Sequence, residues 1–315
     1  MKKIFLLLFV IISLSACKSN IEEKNAYTTF NKKVDTDVDP NVINANDGND
    51  KLFFGIMNQK GEPEIDGVYY LDDAKLSDRY ITIGNYVKED REYSIMALVN
   101  YRQSSFCIEN EEYLLYSVFI EKNKDLKIPI EIKDLNHGTN EILFLIIPNA
   151  KRDLTEEERV ERGIFSDVYH IRCKAIVGNE SAQNIEESNK IETVAGANTE
   201  LCLSTDHTGK GINMPFCKLD KSDHFYLTVG NINETETEYM VIVFDNWEQV
   251  PFYQGRSSLY INLPGNTQTV LPVDIDINKQ KEHELVAIAL MNPYGTYDFH
   301  AIELLSSMRM RLSMD

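Results

Sequence analysis

A chain of 315 residues that is 43% hydrophobic, 26% charged and 10% aromatic has a globular composition, which excludes collagen-like, coiled-coil and wholly disordered chains. Its length suits about two domains, each able to bury a core. Against 32 Lys and Arg stand 50 Asp and Glu, a net charge of −18. That balance lacks the positive field that holds a phosphate backbone, so nucleic acid is not an expected partner.

The N-terminus begins with Lys2 and Lys3, followed by an apolar run from Ile4 to Leu14. As a helix this run rises only about 16 Å, too short to span a bilayer, and it reads as the core of a secretory signal. Its end, Leu14-Ser15-Ala16-Cys17, resembles the bacterial lipobox. The resemblance implies cleavage after residue 16, a diacylglycerol on Cys17 and attachment to a membrane through that anchor. The expected location is a bacterial cell membrane, lipid-anchored and facing the extracytoplasmic side. In a double-membraned host, Lys18 after the Cys resembles the outer-membrane default. No later stretch approaches 18 uninterrupted apolar residues.

Residues 17–50 carry the lipidated Cys and then a polar, acidic segment without apolar periodicity, expected as a flexible tether reaching roughly 30 Å. Asp35, Asp37 and Asp39 alternate like the start of a calcium loop. Pro40 stands where such a loop needs Gly, and Asn46 where it needs Glu, so an acidic spacer is expected there and no metal.

The remainder is a duplication. Ile81 to Phe106 aligns without gaps on Leu227 to Phe252, 146 residues further on. Identities include Thr82/Thr228, Gly84/Gly230, Asn85/Asn231, Glu92/Glu238, Tyr93/Tyr239, Asn100/Asn246, Gln103/Gln249 and Phe106/Phe252. Ile128 to Asn149 aligns on Leu271 to Asn292, with Pro129/Pro272, Ile132/Ile275, Glu141/Glu284 and Asn149/Asn292 identical. A period this long makes each copy a whole domain, expected at 51–179 and 199–315 with a linker at 180–198.

Each copy reads as strands. Ile128, Ile130 and Ile132 alternate with Lys127, Glu131 and Lys133, and Leu271, Val273 and Ile275 repeat the pattern. Ile142 to Ile147 and Leu285 to Met291 are continuous apolar runs, expected as central strands. Turn signals separate them, as at His137-Gly138-Thr139-Asn140 and Pro264-Gly265-Asn266. The fold class expected is all-β: two tandem immunoglobulin-like β-sandwiches after the signal and tether. The order of a Gly84-Asn85 junction, a turn at Asn100-Tyr101 and a Gly138 before the penultimate strand looks like the bacterial cell-adhesion-related immunoglobulin-like domain. This chain departs from it in lacking Asp-Gly at the turn.

One helix is expected from Thr155, stopping at Gly163. The last strand of the first copy, Val168 to Val177, matches either Phe299–Ser306 or Met308–Leu312 of the second. Cys202 with Cys217, and Cys107 with Cys173, are candidate disulfides in an oxidising compartment, the alternative being buried thiols. His137, His170, His207, His224, His283 and His300 show no zinc-ligand spacing. Neither a nucleophile elbow nor a phosphate loop occurs, so neither catalytic residues nor a cofactor are expected. Tyr101 and Trp247, the single Trp, hold equivalent turn positions, and Tyr294 and Tyr297 flank Gly295 in a second loop. All four are candidate ligand-binding aromatics, the alternative for Tyr101 and Trp247 being that they fold back as a repeat-specific core plug. The expected function is a membrane-anchored binding or scaffold protein without enzymatic activity, with a protein or cell-envelope ligand. Alternatives are an accessory lipoprotein that holds a secreted protein through its edge strands, and a surface enzyme.

Overall fold

A computed structural model describes residues 51–315, apart from 64–66, 156, 158–167, 179–187, 212–213, 220–223, 276–281, 296–303 and 315. The signal peptide, Cys17, the tether and Tyr297 lie outside the described residues, as does nearly all of the expected helix.

The first repeat is built from β1 (Lys51–Asn58), β2 (Val68–Leu71), β3 (Leu76–Tyr86), β4 (Arg91–Val99), β5 (Arg102–Ser104) and β6 (Phe106–Ile108). It continues through β7 (Glu111–Tyr113), β8 (Tyr116–Ile120), β9 (Lys124–Ile132), β10 (Gly138–Pro148) and β11 (Tyr169–Val177). One sheet runs β1-β3-β9-β6-β7, the other β2-β11-β10-β4-β5 with β8 also on β4. The first two strands divide between the sheets: β1 lies antiparallel to β3 and β2 parallel to β11. That is the immunoglobulin arrangement. Ile81, Ile83, Ile128, Ile130 and Ile132 from one sheet meet Ile95, Ala97, Phe144 and Ile146 from the other. Their alternation along each strand is what sends one face of each sheet inward.

The second repeat comprises β12 (Val194–Ala195), β13 (Leu201–Ser204), β14 (Phe216–Leu219), β15 (Phe225–Asn231), β16 (Thr237–Asp245) and β17 (Glu248–Gln249). Then follow β18 (Ser258–Leu263), β19 (Thr267–Val273), β20 (His283–Met291), β21 (Leu304–Ser306) and β22 (Met310–Met314). Its sheets are β12-β19-β15-β13 and β14-β22-β20-β16-β17, with β18 on β16 and β21 on β20. The strand matching β11 is broken in two. β21 pairs with Ile288–Leu290 and β22 with His283–Leu285, so both candidate alignments of the last strand hold, each for part of it. Between them Ser307 bulges, its N–H donating to Ala287 O and its Oγ accepting from Ala287 N–H.

The Gly-Asn pair shared by the repeats has a local cause. Asn85 Nδ2 donates to Glu89 O and Ile120 O, and Asn231 Nδ2 to Thr235 O and Leu263 O. Each Asn ties the turn after its strand to the end of another strand, and both are fully buried. At Gly230 a Cβ would strike the Thr199 carbonyl, where the incoming chain crosses the strand.

Two expectations need correction. The described part of the 180–198 segment is not a spacer. Asn189 bridges Ile261, Ile191 packs on the second core, and Val194–Ala195 forms β12 against β19. The proposed disulfides are absent: Cys107, Cys173, Cys202 and Cys217 are all buried thiols. The pleat explains why. Cys173 and Cys217 point into their cores, whereas Phe106 and Ile108, and Leu201 and Leu203, take the inward positions around Cys107 and Cys202. In each copy one thiol therefore faces away from the other.

Candidate functional site

Asn100-Tyr101 and Asn246-Trp247 are the central pairs of two-residue hairpins, joining Val99 to Arg102 and Asp245 to Glu248. All four residues have positive φ: 50° and 63°, then 50° and 64°. This is the geometry of a type I′ turn, whose second position favours Gly. The Asn residues suit it, and their Oδ1 atoms accept from Glu141 N–H and Glu284 N–H. Tyr and Trp are strained there, by about 1–3 kcal/mol each, and persist only where surroundings over-determine them.

Those surroundings are the other repeat. Tyr101 and Trp247 are 4% and 5% exposed, which corrects the expectation of exposed recognition aromatics; nor does either fold back as a plug of its own repeat, since both pack in the cluster between the repeats. Tyr101 Oη donates to Pro293 O, and Trp247 Nε1 donates to Ala150 O at 2.9 Å. The bonds are reciprocal, since Ala150 and Pro293 each follow the paired Asn149 and Asn292. Arg172 Nη1 donates to Asn292 O, and Arg309 Nη1 to Asn149 O. Gln103 N–H donates to Gln249 Oε1 and Gln249 N–H to Gln103 Oε1, while Gln103 Nε2 reaches Trp247 O and Gln249 Nε2 reaches Tyr101 O. Each of these hydrogen bonds has its mirror, so the repeats face each other across a pseudo-two-fold axis, as identical subunits do in an isologous dimer.

An apolar cluster fills the seam between them. Met96, Leu98, Leu143, Leu145 and Ile147 meet Met240, Ile242, Phe244, Val286, Ile288 and Leu290. Tyr294 lies at its margin, edge-on to Tyr101 (5.6 Å between ring centres) and to Tyr260 (5.2 Å). The continuous apolar runs of β10 and β20 now have their reason: one face of each strand serves its own sandwich and the other serves the seam. Arg172 and Arg309 are buried with paired carboxylates, Glu141 at 3.4 Å and Glu284 at 2.7 Å. Arg309 also sits 5.3 Å above the Trp247 ring. Burial pushes the Tyr101 phenol far above its ordinary range, and it remains a hydrogen-bond donor. The identity of Gln103 and Gln249 was visible in the alignment. Arg172 and Arg309 were hidden by the broken final strand.

With these aromatics committed to the seam, what faces solvent is edge strand. The outer side of β2 carries no strand among the described residues. Its sequence, Val68-Tyr69-Tyr70-Leu71, has no charge, and Tyr70 is 79% exposed, the most of any large hydrophobic described. The matching edge β14 bears the exposed Lys218, which blunts strand pairing. β1 is bridged on its outer side at Met57 by Pro63. Among the described residues, no group of three or more His, Cys, Asp or Glu is placed to hold a metal ion, and no helix is long and apolar enough to cross a membrane.

No family model and no curated protein sequence matches the chain. Among solved structures it is similar to a chain of the CsuC–CsuE chaperone–tip adhesion subunit pre-assembly complex from Acinetobacter baumannii, at 10% identity and a TM-score of 0.26, covering 84% of this chain and 99% of that one. The CupB2 chaperone of Pseudomonas aeruginosa matches at 10% identity and 0.23, covering 78% and 98%, and the Escherichia coli chaperone DraB at 9% and 0.24, covering 84% and 97%. A red sea bream transglutaminase matches at 8% and 0.25, with 31% of that chain covered. At this level of similarity the strand topology, not the likeness, defines the fold.

Proposed function

We propose that the chain is a lipid-anchored, non-enzymatic binding protein of the bacterial envelope that holds an extended segment of a secreted or envelope protein along β2. The observation that supports this reading is the uncharged, outward-facing edge of β2, with Val68 and Tyr70 exposed on a body whose repeats share an apolar seam. Strand addition to such an edge draws affinity from main-chain hydrogen bonds, and alternate side chains supply selectivity. The exposed-loop version of the binding reading loses its basis, because Tyr101 and Trp247 are buried.

The test is capture of secreted and envelope proteins on the mature chain from Lys18, made without lipid. Val68→Lys with Tyr70→Lys places two cations on the edge without touching the core. Ile232→Lys, at another exposed apolar residue, is the control. A partner retained by the native chain and the control, but lost by the β2 variant at unchanged melting temperature, supports the reading. A partner retained equally by all three overturns it.

A further inference from the structure

The main chain of β2 defines what its occupant must present. Gly67 O accepts from Lys174 N–H at 2.6 Å and Leu71 O from Gly178 N–H at 3.0 Å, with Tyr69 against Ala175 between them. Residues bonded to the neighbour alternate along a parallel ladder. Gly67, Tyr69 and Leu71 therefore turn to β11, and the N–H and C=O of Val68 and Tyr70 turn outward. The side chains of Val68 and Tyr70, 36% and 79% exposed, share one face, while Tyr69 enters the core. An added strand bonds at these two residues and lays alternate side chains beside theirs.

The charge that this edge offers is negative. β2 runs directly into Asp72 and Asp73, both exposed. The neighbouring cations are committed elsewhere. Lys174, in register with Val68, lies 3.0 Å from Glu141 and donates to Gly295 O. Lys75 lies 2.6 Å from Glu131, and Arg79 sits 4.8 Å over the Tyr69 ring. The corresponding edge of the second repeat has the opposite sign. Pro215 O accepts from Arg311 N–H as Gly67 O does from Lys174, which sets Phe216 in the place of Val68 and Lys218 in that of Tyr70.

Resting on the β2 reading, we infer that the segment held there is cationic. Its apolar side chains alternate against Val68 and Tyr70, and a Lys or Arg lies beside Asp72 and Asp73. The charges steer the encounter and fix the register, since a slip of one residue turns the apolar side chains to the wrong face. An anionic segment meets the two carboxylates and is refused. Lys218 refuses the cationic segment at β14, so each chain holds one.

Titration of the chain from Lys18 onward, made without lipid, tests this with two capped peptides. One is Lys-Lys-Val-Thr-Val-Thr-Val-Lys-Lys, and the other carries Glu for each Lys. The Lys-ended peptide is expected to bind one per chain, at least about tenfold more tightly at low ionic strength, and to lose that advantage in high salt. Asp72→Asn with Asp73→Asn should weaken it about threefold or more. Glu112→Gln with Glu121→Gln, the same change of charge at exposed positions elsewhere, should not. Tyr70→Pro, which is neutral and removes an outward N–H that the ladder to β11 does not use, should weaken it too. Equal affinity for the two peptides overturns the proposal, as does Lys-ended binding that the Asp variant leaves unmoved; loss of that binding in Tyr70→Pro then still supports the β2 reading. A native chain that is dimeric, and monomeric as Tyr70→Pro, assigns the edge to a second copy and overturns it as well. Binding of neither peptide also overturns it, and the capture experiment, which uses no peptide, then decides the β2 reading by itself.

Discussion

Gln103 and Gln249 hold one another: each backbone N–H donates to the other's side-chain Oε1, at 2.6 and 2.8 Å, across the boundary between the two repeats. Each side-chain amide then reaches the carbonyl of the other repeat's turn aromatic. Residues joined in this way should not behave independently. Gln103→Ala and Gln249→Ala are each expected to lower stability by about 1 kcal/mol, by leaving half-buried donors without acceptors. The double mutant should lose less than their sum by at least ~0.5 kcal/mol, read from denaturant midpoints. Strict additivity would mean that the pair does not couple the repeats.

Equivalent glycines should respond unequally. A Cβ at Gly84 meets the Tyr86 ring at 2.6 Å, and that side chain can swing aside. At Gly230 it meets the backbone carbonyl of Thr199, which cannot. Gly84→Ala is expected to cost about 1–2 kcal/mol. Gly230→Ala should cost more than ~3 kcal/mol or prevent folding. Thermal melts of the two variants settle the order.

Thiol titration checks the cysteines. The chain from Lys18 onward, unfolded without reductant, is expected to release four reactive thiols, from Cys107, Cys173, Cys202 and Cys217. Reductant should leave its melting temperature unchanged. Finding two thiols or none would contradict the inward and outward placement of each pair.

His170 is expected to make the fold sensitive to acid. Burial, and then the charge of Arg172, push its pKa down to about 4 from an ordinary 6.5. The unfolded chain therefore binds this proton more readily than the folded one. Its contribution to stability is intact above about pH 6.5 and is lost as pH falls toward 4. His170→Gln should flatten the fall in melting temperature across that window, and an unchanged slope would exclude His170 as its source.

Much of this architecture was legible in the residues. The period-two alternation around Ile128–Ile132 and the 146-residue repeat define two sandwiches, because inward and outward faces differ in polarity. The destination of Tyr101 and Trp247 was not legible, since a side chain that leaves its own core looks the same whether it meets a ligand or a neighbouring domain. The informative signal was Ile142 to Ile147, apolar on both faces and hence covered on both. The arginines of the seam escaped because the connection after β20 is shorter than that after β10, so Arg172 and Arg309 lie 137 residues apart and fall out of register when the 143-residue offset of the preceding strands is carried on.

Trp247 is the single Trp, so its fluorescence reports the seam directly. In the native chain its emission should be blue-shifted and nearly insensitive to acrylamide, as a ring 5% exposed against Ala150 and Arg309 requires. Emission like that of the unfolded chain, quenched as readily by acrylamide, would place Trp247 in solvent, dissolve the seam and return the turn aromatics to ligand recognition.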